Sequence, residues 1–82
     1  MVTVVFDFHF QKLFFRIKDS STKERILKQI TKIKETPELG KPMRFSRKGT
    51  REVYVPPFRL SYVYIQEKAK LILLDLYQKD EQ

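Results

Sequence analysis

The spacing of the apolar residues changes along the chain, and this change limits the folds that the chain can adopt. The first helical stripe has the i, i+3, i+4, i+7 spacing of an amphipathic helix: Phe10, Leu13, Phe14 and Ile17. A second helical stripe runs from Ile26 to Ile33. Before and after these stripes the sequence is rich in β-branched and aromatic residues, which favour strands. The pattern therefore predicts two helices with strands on either side.

Local signals give approximate bounds for each element. A strand of alternating character covers residues 3–8, a helix covers His9 to Lys18, and a second helix ends at about Glu35 or Thr36, before Pro37. Ser21 and Glu24 fit a capping box that opens the second helix. Three strands follow at 51–55, 58–65 and 70–77, with connections short enough for antiparallel hairpins. The expected fold is a single α+β domain over residues 1–82, in the order β-α-α-β-β-β with antiparallel strands after the two-helix hairpin.

The composition narrows the possible chemistry. The chain has 82 residues and no cysteine, so disulfides, cysteine-ligated zinc and thiol catalysis are all excluded. Its one histidine cannot build a metal site alone, and no apolar run approaches the length of a membrane span. We therefore expect a cytoplasmic protein with no metal, no small-molecule cofactor and no membrane partner.

Positive charge is concentrated between Gly40 and Arg59. The chain carries 17 Lys and Arg against 10 Asp and Glu, a formal net charge of +7. Six of the basic residues lie in this stretch, opposed by the single acid Glu52: Lys41, Arg44, Arg47, Lys48, Arg51 and Arg59. Such a cluster is typical of a surface that faces a polyanion. An acidic protein partner, or a merely solvated basic surface, would give the same charge pattern.

Aromatic residues accompany these cations. Aromatic rings stack on nucleic-acid bases, so Tyr54 and Tyr77 are candidates for positioning a base. Phe58, Tyr62 and Tyr64 share one parity and therefore one face of their strand, where they serve either as a stacking surface or as core.

Few residues are available for proton transfer. His9 is interpreted as structural, because nothing in the sequence pairs with it. Asp75 lies among leucines and must be paired or reach solvent at the sheet face, and Arg59 or another cation is its expected partner. A cationic site can still cleave RNA without a metal, by orienting the 2′-hydroxyl and neutralising charge on the scissile phosphate.

Several segments together resemble the RelE/ParE superfamily of toxin–antitoxin toxins. The resemblance spans nearly the whole chain and is most specific in Phe58-Arg59-Leu60-Ser61-Tyr62 and in the ending from Leu73 to Gln82. It implies a RelE-like toxin that enters the ribosome, cleaves mRNA without a metal and inhibits translation. It also implies a cognate antitoxin that lays a helix or an added strand across the toxin, with Phe15, Tyr62 or Leu76 as apolar contacts.

The resemblance also assigns site residues. Arg59 matches the arginine that contacts the scissile phosphate, and Lys79 lies near a basic position of the last strand. Arg51 and Lys48 match only by region, as supporting catalytic charge. The expected RNA contacts are Lys41, Arg44, Arg47, Tyr54 and Tyr77. The chain departs from the family at Gln78, where relatives commonly have His, and this departure favours the alternative of a non-catalytic or ParE-like toxin that binds a protein such as DNA gyrase.

Overall fold

The computed structural model describes residues 2–42 and 49–78, which form two helices and a five-stranded sheet. In chain order the elements are β1 (Thr3–Phe6), α1 (Phe8–Arg16), α2 (Ser20–Glu35), β2 (Lys41–Pro42), β3 (Thr50–Val55), β4 (Phe58–Ile65) and β5 (Lys70–Gln78). A short 3-10 turn at Gln66–Lys68 joins β4 to β5. The strands predicted at 51–55, 58–65 and 70–77 therefore lie within one residue of β3, β4 and β5. The first strand ends at Phe6, two residues earlier than predicted, and the two-residue β2 was not predicted.

The strands are arranged in the order β1-β5-β4-β3-β2. The pairs β2–β3, β3–β4 and β4–β5 are antiparallel, as expected, whereas β1 pairs with β5 in parallel. In the chain, the two helices separate β1 from the later strands. In the sheet, the last strand β5 pairs with β1. The α+β class is confirmed, with a mixed sheet in place of a purely antiparallel one.

One face of the sheet packs against both helices. The core combines residues of α1, α2 and the strands: Phe10, Ile17, Ile26, Ile30, Ile33, Val53, Val55, Leu60, Tyr62, Leu71, Leu73 and Leu76. Phe58 and Tyr64 pack against this core, on the same face as Tyr62. The interpretation of these three aromatic residues as a base-stacking surface is therefore wrong, because their shared face is the one that the helices cover.

Aspartates cap both helices. The Asp7 carboxylate accepts a hydrogen bond from the His9 backbone N–H at 3.0 Å, and α1 begins at Phe8 and ends at Arg16, shorter than predicted. Asp19, and not the predicted box of Ser21 and Glu24, caps α2. Its carboxylate accepts from the Ser21 backbone N–H at 3.3 Å and from the Thr22 hydroxyl at 2.6 Å.

We expect Asp19→Ala to lower the melting temperature by roughly 5 °C, as the loss of a helix N-cap does in a small domain. The hydrogen bond from Thr22 lowers the pKa of Asp19 below its ordinary value. The stabilising effect is therefore fully present above that ordinary value and is lost as the pH falls through the lowered pKa. Thermal unfolding of wild type, Asp19→Ala and Asp19→Asn across the acidic range measures both effects. Equal melting temperatures for wild type and Asp19→Ala at neutral pH would contradict the assignment.

The buried Tyr62 holds the connection between α2 and β2. Its hydroxyl accepts a hydrogen bond from the Gly40 backbone N–H at 2.8 Å and donates one to the Pro37 carbonyl at 2.7 Å. On the same connection, the Arg51 guanidinium donates to the Gly40 carbonyl at 2.8 Å and to the Glu38 carbonyl at 3.2 Å. Tyr62 and Arg51 thus fix the segment that leads into β2.

Burial raises the pKa of Tyr62 above its ordinary value. The contribution of this phenol to stability is therefore complete below about pH 10, the ordinary value, and is lost as the pH rises through the raised pKa. The ionised oxygen also has no proton to donate to Pro37. We expect the free energy of unfolding, measured with urea at increasing alkaline pH, to fall more steeply for wild type than for Tyr62→Phe. Parallel pH profiles would show that Tyr62 does not ionise on unfolding.

Candidate functional site

The face of the sheet opposite the helices carries a row of polar and aromatic residues. Arg59 on β4 lies directly between Tyr54 on β3 and Tyr77 on β5 in the strand register. Glu52 on β3 has the same parity as Tyr54, so it lies on this face too. The antiparallel pairing of three neighbouring strands thus brings together side chains that are up to 25 residues apart in the chain.

Glu52 is the centre of this cluster. One oxygen of its carboxylate, Oε1, accepts a hydrogen bond from Arg59 Nη1 at 2.7 Å. The other oxygen, Oε2, accepts from the Tyr77 hydroxyl. Only 15% of the Glu52 side chain is exposed, against 29% of Arg59. The carboxylate therefore fixes the arginine and the tyrosine relative to each other.

Arg59 is held by two neighbouring side chains, Tyr54 and Glu52. Its guanidinium carbon lies 5.5 Å from the centre of the Tyr54 ring, within the range of a cation–π contact. The hydrogen bond to Glu52 raises the pKa of Arg59, and burial opposes this only in part. Its Nε atom is buried and has no hydrogen-bond partner among the described residues. A guanidinium has five N–H donors, so one bond to Glu52 does not exhaust it.

A cavity of about 420 Å³ opens beside this cluster. Its lining combines cluster residues with side chains from α2 and the following connection: Gln29, Leu39, Lys41, Glu52, Val53, Tyr54 and Arg59. The cavity lies along β3, where the described residues of β2 pair with Arg51 and Glu52. Cavities of this size accommodate small ligands or parts of larger ones.

Five of the nine predicted site residues lie in the described part of the chain. Lys41, Tyr54 and Arg59 line the cavity, and Tyr77 contacts it through Glu52. Arg51 binds the carbonyls of the connection before β2, so its predicted catalytic role stays a prediction. The other four lie outside the described residues: Arg44, Arg47, Lys48 and Lys79.

Solved structures of toxins resemble this chain in fold. A chain of the intact E. coli RelBE toxin–antitoxin complex matches with a TM-score of 0.83 and 17% identity, over 99% of this chain and 100% of that one. A YoeB/ParE toxin from Agrobacterium tumefaciens matches with a TM-score of 0.83 and 17% identity, over 94% and 98%. This chain has the RelE fold.

A third solved structure shares more of its sequence with this chain than those two do. The solution structure of a conserved hypothetical protein from Helicobacter pylori is 26% identical over 99% of this chain and 98% of that one, with a TM-score of 0.66. No protein-family model matches the sequence, and no curated protein matches it either. The family resemblance seen in the sequence is thus confirmed at the level of the RelE fold.

Within this fold, a second pair of titratable residues differs from the prediction. Asp75 was expected to pair with Arg59 or another cation, or to reach solvent. Arg59 pairs with Glu52 instead, and the Oδ1 atom of Asp75 lies 3.2 Å from His9 Nε2 and also accepts from the Leu76 backbone N–H at 2.7 Å. The reason is geometric: β1 ends beside Leu73, and Asp7 caps α1 there, so the first turn of α1 reaches Asp75. His9, interpreted as unpaired, therefore has a partner.

The described residues offer little for a metal or a membrane. They contain no group of three or more His, Cys, Asp or Glu side chains placed to hold a metal ion. Neither α1 nor α2 is long and apolar enough to cross a bilayer. The polar groups that line the cavity are a carboxylate, a guanidinium, an ammonium, a phenol and an amide.

Proposed function

We propose that this chain is the toxin of a toxin–antitoxin module and acts as a ribosome-dependent endoribonuclease, which cleaves mRNA and so inhibits translation. The observation that carries the proposal is the Glu52–Arg59 pair at the wall of a 420 Å³ cavity, with Tyr54 and Lys41 beside it. The RelE fold supports it, because the known RelE and YoeB/ParE structures that share the fold are described as toxins.

Arg59 provides the phosphate contact. Its guanidinium is permanently charged and is held against Tyr54 and Glu52, so little side-chain freedom remains to be lost when a phosphate binds. Donors that are fixed before the reaction stabilise the charge that builds up on the phosphoryl oxygens during in-line attack. The Tyr54 ring, exposed beside Arg59, offers a surface on which an adjacent base stacks.

Glu52 and Lys41 supply the two proton transfers. The Glu52 carboxylate takes the proton of the 2′-hydroxyl as the 2′-oxygen bonds to phosphorus. The bond from phosphorus to the 5′-oxygen breaks, and the Lys41 ammonium donates a proton to that oxygen, leaving a cyclic phosphate and a 5′-hydroxyl. A carboxylate has about four lone-pair sites, so Glu52 can accept this proton while still bonded to Arg59 and Tyr77.

The remaining basic residues keep their predicted supporting roles. Lys48, Lys79 and Arg51 add charge to the catalytic region, and Arg44 and Arg47 extend the RNA contacts. Tyr77 acts through Glu52, to which its hydroxyl donates a hydrogen bond. The basic residues attract the phosphates of the RNA backbone over long range, and this attraction weakens as the salt concentration rises.

The proposed partners are a cognate antitoxin, the ribosome and mRNA, in the cytoplasm. Solved structures of the same fold are described as toxin–antitoxin complexes from E. coli and from Mycobacterium tuberculosis, which supports an antitoxin for this chain. Its net charge of +7 suits both an acidic antitoxin and ribosomal RNA.

Cell-free translation tests the proposal. Purified protein is added to a translation reaction, and mRNA 5′ ends are mapped by primer extension beside a reaction with mRNA but no ribosomes. We expect new 5′ ends within codons only when ribosomes are present. Intact mRNA and continued translation in the presence of folded protein would contradict a nuclease.

One observation favours a second function. Glu52 already neutralises Arg59, the cation assigned to the phosphate. A permanently paired arginine suits a non-catalytic toxin that binds a protein such as DNA gyrase. Loss of gyrase supercoiling activity on addition of the protein, with mRNA left intact, would support this second function.

A further inference from the structure

One glutamine interrupts the apolar stripe of α2. The stripe has the i, i+3, i+4, i+7 spacing, with Ile26, Ile30 and Ile33 buried in the core and Gln29 at the i+3 place. A polar residue at a core-facing position is informative, because an apolar side chain would pack there with no polar group to satisfy. Gln29 is half-buried and lines the 420 Å³ cavity beside Arg59. The wall of the candidate site therefore includes a residue of α2, which the sequence did not predict.

The cavity crosses the edge of the sheet at β3. Its lining includes Val53, which is buried in the core under the helices, and also Tyr54 and Arg59, which lie on the polar face. Gln29 and Leu39 complete the lining from α2 and from the connection that follows it. The cavity therefore joins the polar face of the sheet to the surface of α2, and an elongated ligand can contact both.

The two ends of the cavity differ in chemistry. The Arg59 guanidinium and the Lys41 ammonium lie on the polar face, since Lys41 pairs with Glu52 in the sheet and shares its face. Both are positively charged hydrogen-bond donors, which suit a phosphate. At the other end the Gln29 amide lies with Leu39, an aliphatic residue that is 45% exposed. A nucleotide joins a phosphate to a flat ring with a polar edge, so it matches both ends.

Adenine is the base whose edge suits a glutamine best. A glutamine amide offers one donor and one acceptor side by side, and these match the N6 amino group and the N7 atom of adenine. The same edge of guanine has two acceptors, N7 and O6, of which the amide can satisfy only one. A purine also presents a larger ring surface than a pyrimidine to Leu39 and to the exposed Tyr54 ring. Adenine therefore fits this lining in both hydrogen bonding and stacking.

The proposed cleavage gives the nucleotide a direction. In that reaction Lys41 donates a proton to the 5′-oxygen that leaves. Leu39 precedes Lys41 by two residues and lines the same cavity, so the nucleotide that carries this oxygen is the one nearest to Leu39 and Gln29. That nucleotide lies on the 3′ side of the cut. Adenosine 5′-monophosphate (AMP) reproduces it together with its phosphate.

We propose that Gln29 and Leu39 form a base pocket that selects adenine on the 3′ side of the cleaved bond. This inference rests on the proposed function for its RNA substrate, and it adds a specificity-determining residue on α2. Gln29 bonds to the edge of the base and Leu39 packs on its ring. The pocket is separate from the apolar contacts expected for an antitoxin, of which Phe15 is exposed on α1, whereas Tyr62 and Leu76 are buried in the core and are not available.

The experiment measures binding of AMP, GMP, CMP and UMP to the full chain by NMR titration, without ribosomes. Gln29→Leu keeps the size and helix propensity of the side chain and removes its amide. Thr31→Ala is the control, because Thr31 is exposed on α2, donates to the Leu27 carbonyl at 3.1 Å and does not line the cavity. We expect wild type and Thr31→Ala to bind AMP about 10-fold more tightly than UMP, and Gln29→Leu to bind the two within about threefold of each other.

The side-chain amide signal of Gln29 locates the contact independently, and it should shift on addition of AMP. No binding of AMP at millimolar concentrations, tighter binding of another nucleotide, or the same preference for AMP in Gln29→Leu as in wild type would each overturn the base pocket.

Mapping of the mRNA 5′ ends separates this inference from the nuclease itself. In cell-free translation the new 5′ ends should begin with A more often than with any other base, and Gln29→Leu should lose this preference while it still cleaves. Cleavage with no preference for A, by a chain that does not bind AMP, would refute the pocket and leave the nuclease standing. Binding of AMP that depends on Gln29, by a chain that cleaves nothing, would refute the nuclease and leave the nucleotide site standing.

Discussion

Arg59→Ala is expected to reduce ribosome-dependent mRNA cleavage by about 100-fold or more, the effect of removing one preorganised donor to a developing negative charge. The expectation follows from the position of Arg59, at the cavity wall and in contact with both Glu52 and Tyr54. Arg59→Lys should recover only part of the loss, because an ammonium cannot reproduce the planar contact with Tyr54 and the fork of donors. The rate of appearance of cleaved mRNA in cell-free translation measures both variants.

Arg25→Ala is the matched control. Arg25 is an exposed arginine on α2 that donates to the Thr22 hydroxyl at 3.2 Å, and it does not line the cavity. Its removal makes the same change in net charge and should alter cleavage less than threefold. Circular dichroism establishes that each variant is folded. Undiminished cleavage by folded Arg59→Ala would refute the assignment of the phosphate contact, and an equal loss in Arg25→Ala would mean that only overall charge matters.

Local patterns of the sequence predict the elements well. The bounds 58–65 agree with β4, and the end predicted for the second helix agrees with Glu35. These boundaries follow from periodicity and from prolines close by in the chain. The capping-box spacing of Ser21 and Glu24 predicted a cap at Ser21, but two residues earlier Asp19 also fits an N-cap. The charged carboxylate of Asp19 accepts the hydrogen bond of the Ser21 backbone N–H, and the capping-box pattern takes no account of such a competing acceptor.

Contacts between distant residues were not predictable in the same way. The alternation of side chains along β4 predicts that Phe58, Tyr62 and Tyr64 lie on one face of the sheet. It does not predict which face the helices cover. The parallel pairing of β1 with β5 depends on how the helices cross the sheet. The pairing of Asp75 with His9 follows from that arrangement and from an irregular register after Ser61, where Tyr62 pairs with Leu73.

Glu52 is the site residue that the sequence interpretation missed. It was noted only as the one acid among six cations. A signal was available, because the short hairpin connection at Pro56-Pro57 sets Tyr54 opposite Arg59 and leaves Glu52 one diagonal step away on the same face. Combining hairpin register with charge identifies Glu52 as the nearest carboxylate to Arg59. In the proposed nuclease mechanism it supplies the proton acceptor that the basic residues lack.

Gly40→Ala is expected to lower the free energy of unfolding by about 3 kcal/mol, combining overpacking with a strained buried hydrogen bond. A Cβ atom at this position would lie 2.8 Å from the Tyr62 hydroxyl oxygen and 2.9 Å from both Tyr62 Cε1 and the Glu52 backbone carbonyl. The ring is buried and the carbonyl is backbone, so neither can move away cheaply. Urea unfolding at neutral pH measures the loss.

Two variants separate this mechanism from a general intolerance of alanine. Gly49→Ala meets no atom within 4 Å, and its cost comes only from a backbone φ of +91°, so it should lose about 1 kcal/mol. Tyr62→Phe removes the hydroxyl that a Cβ at Gly40 would strike, so the double variant should lose less stability than the two single changes added together. Strict additivity would show that the tyrosine hydroxyl is not what constrains Gly40, which leaves the Glu52 carbonyl and the ring carbon Cε1. In that case Gly40→Ala would displace β3 at Glu52 and reduce cleavage by more than its loss of stability explains.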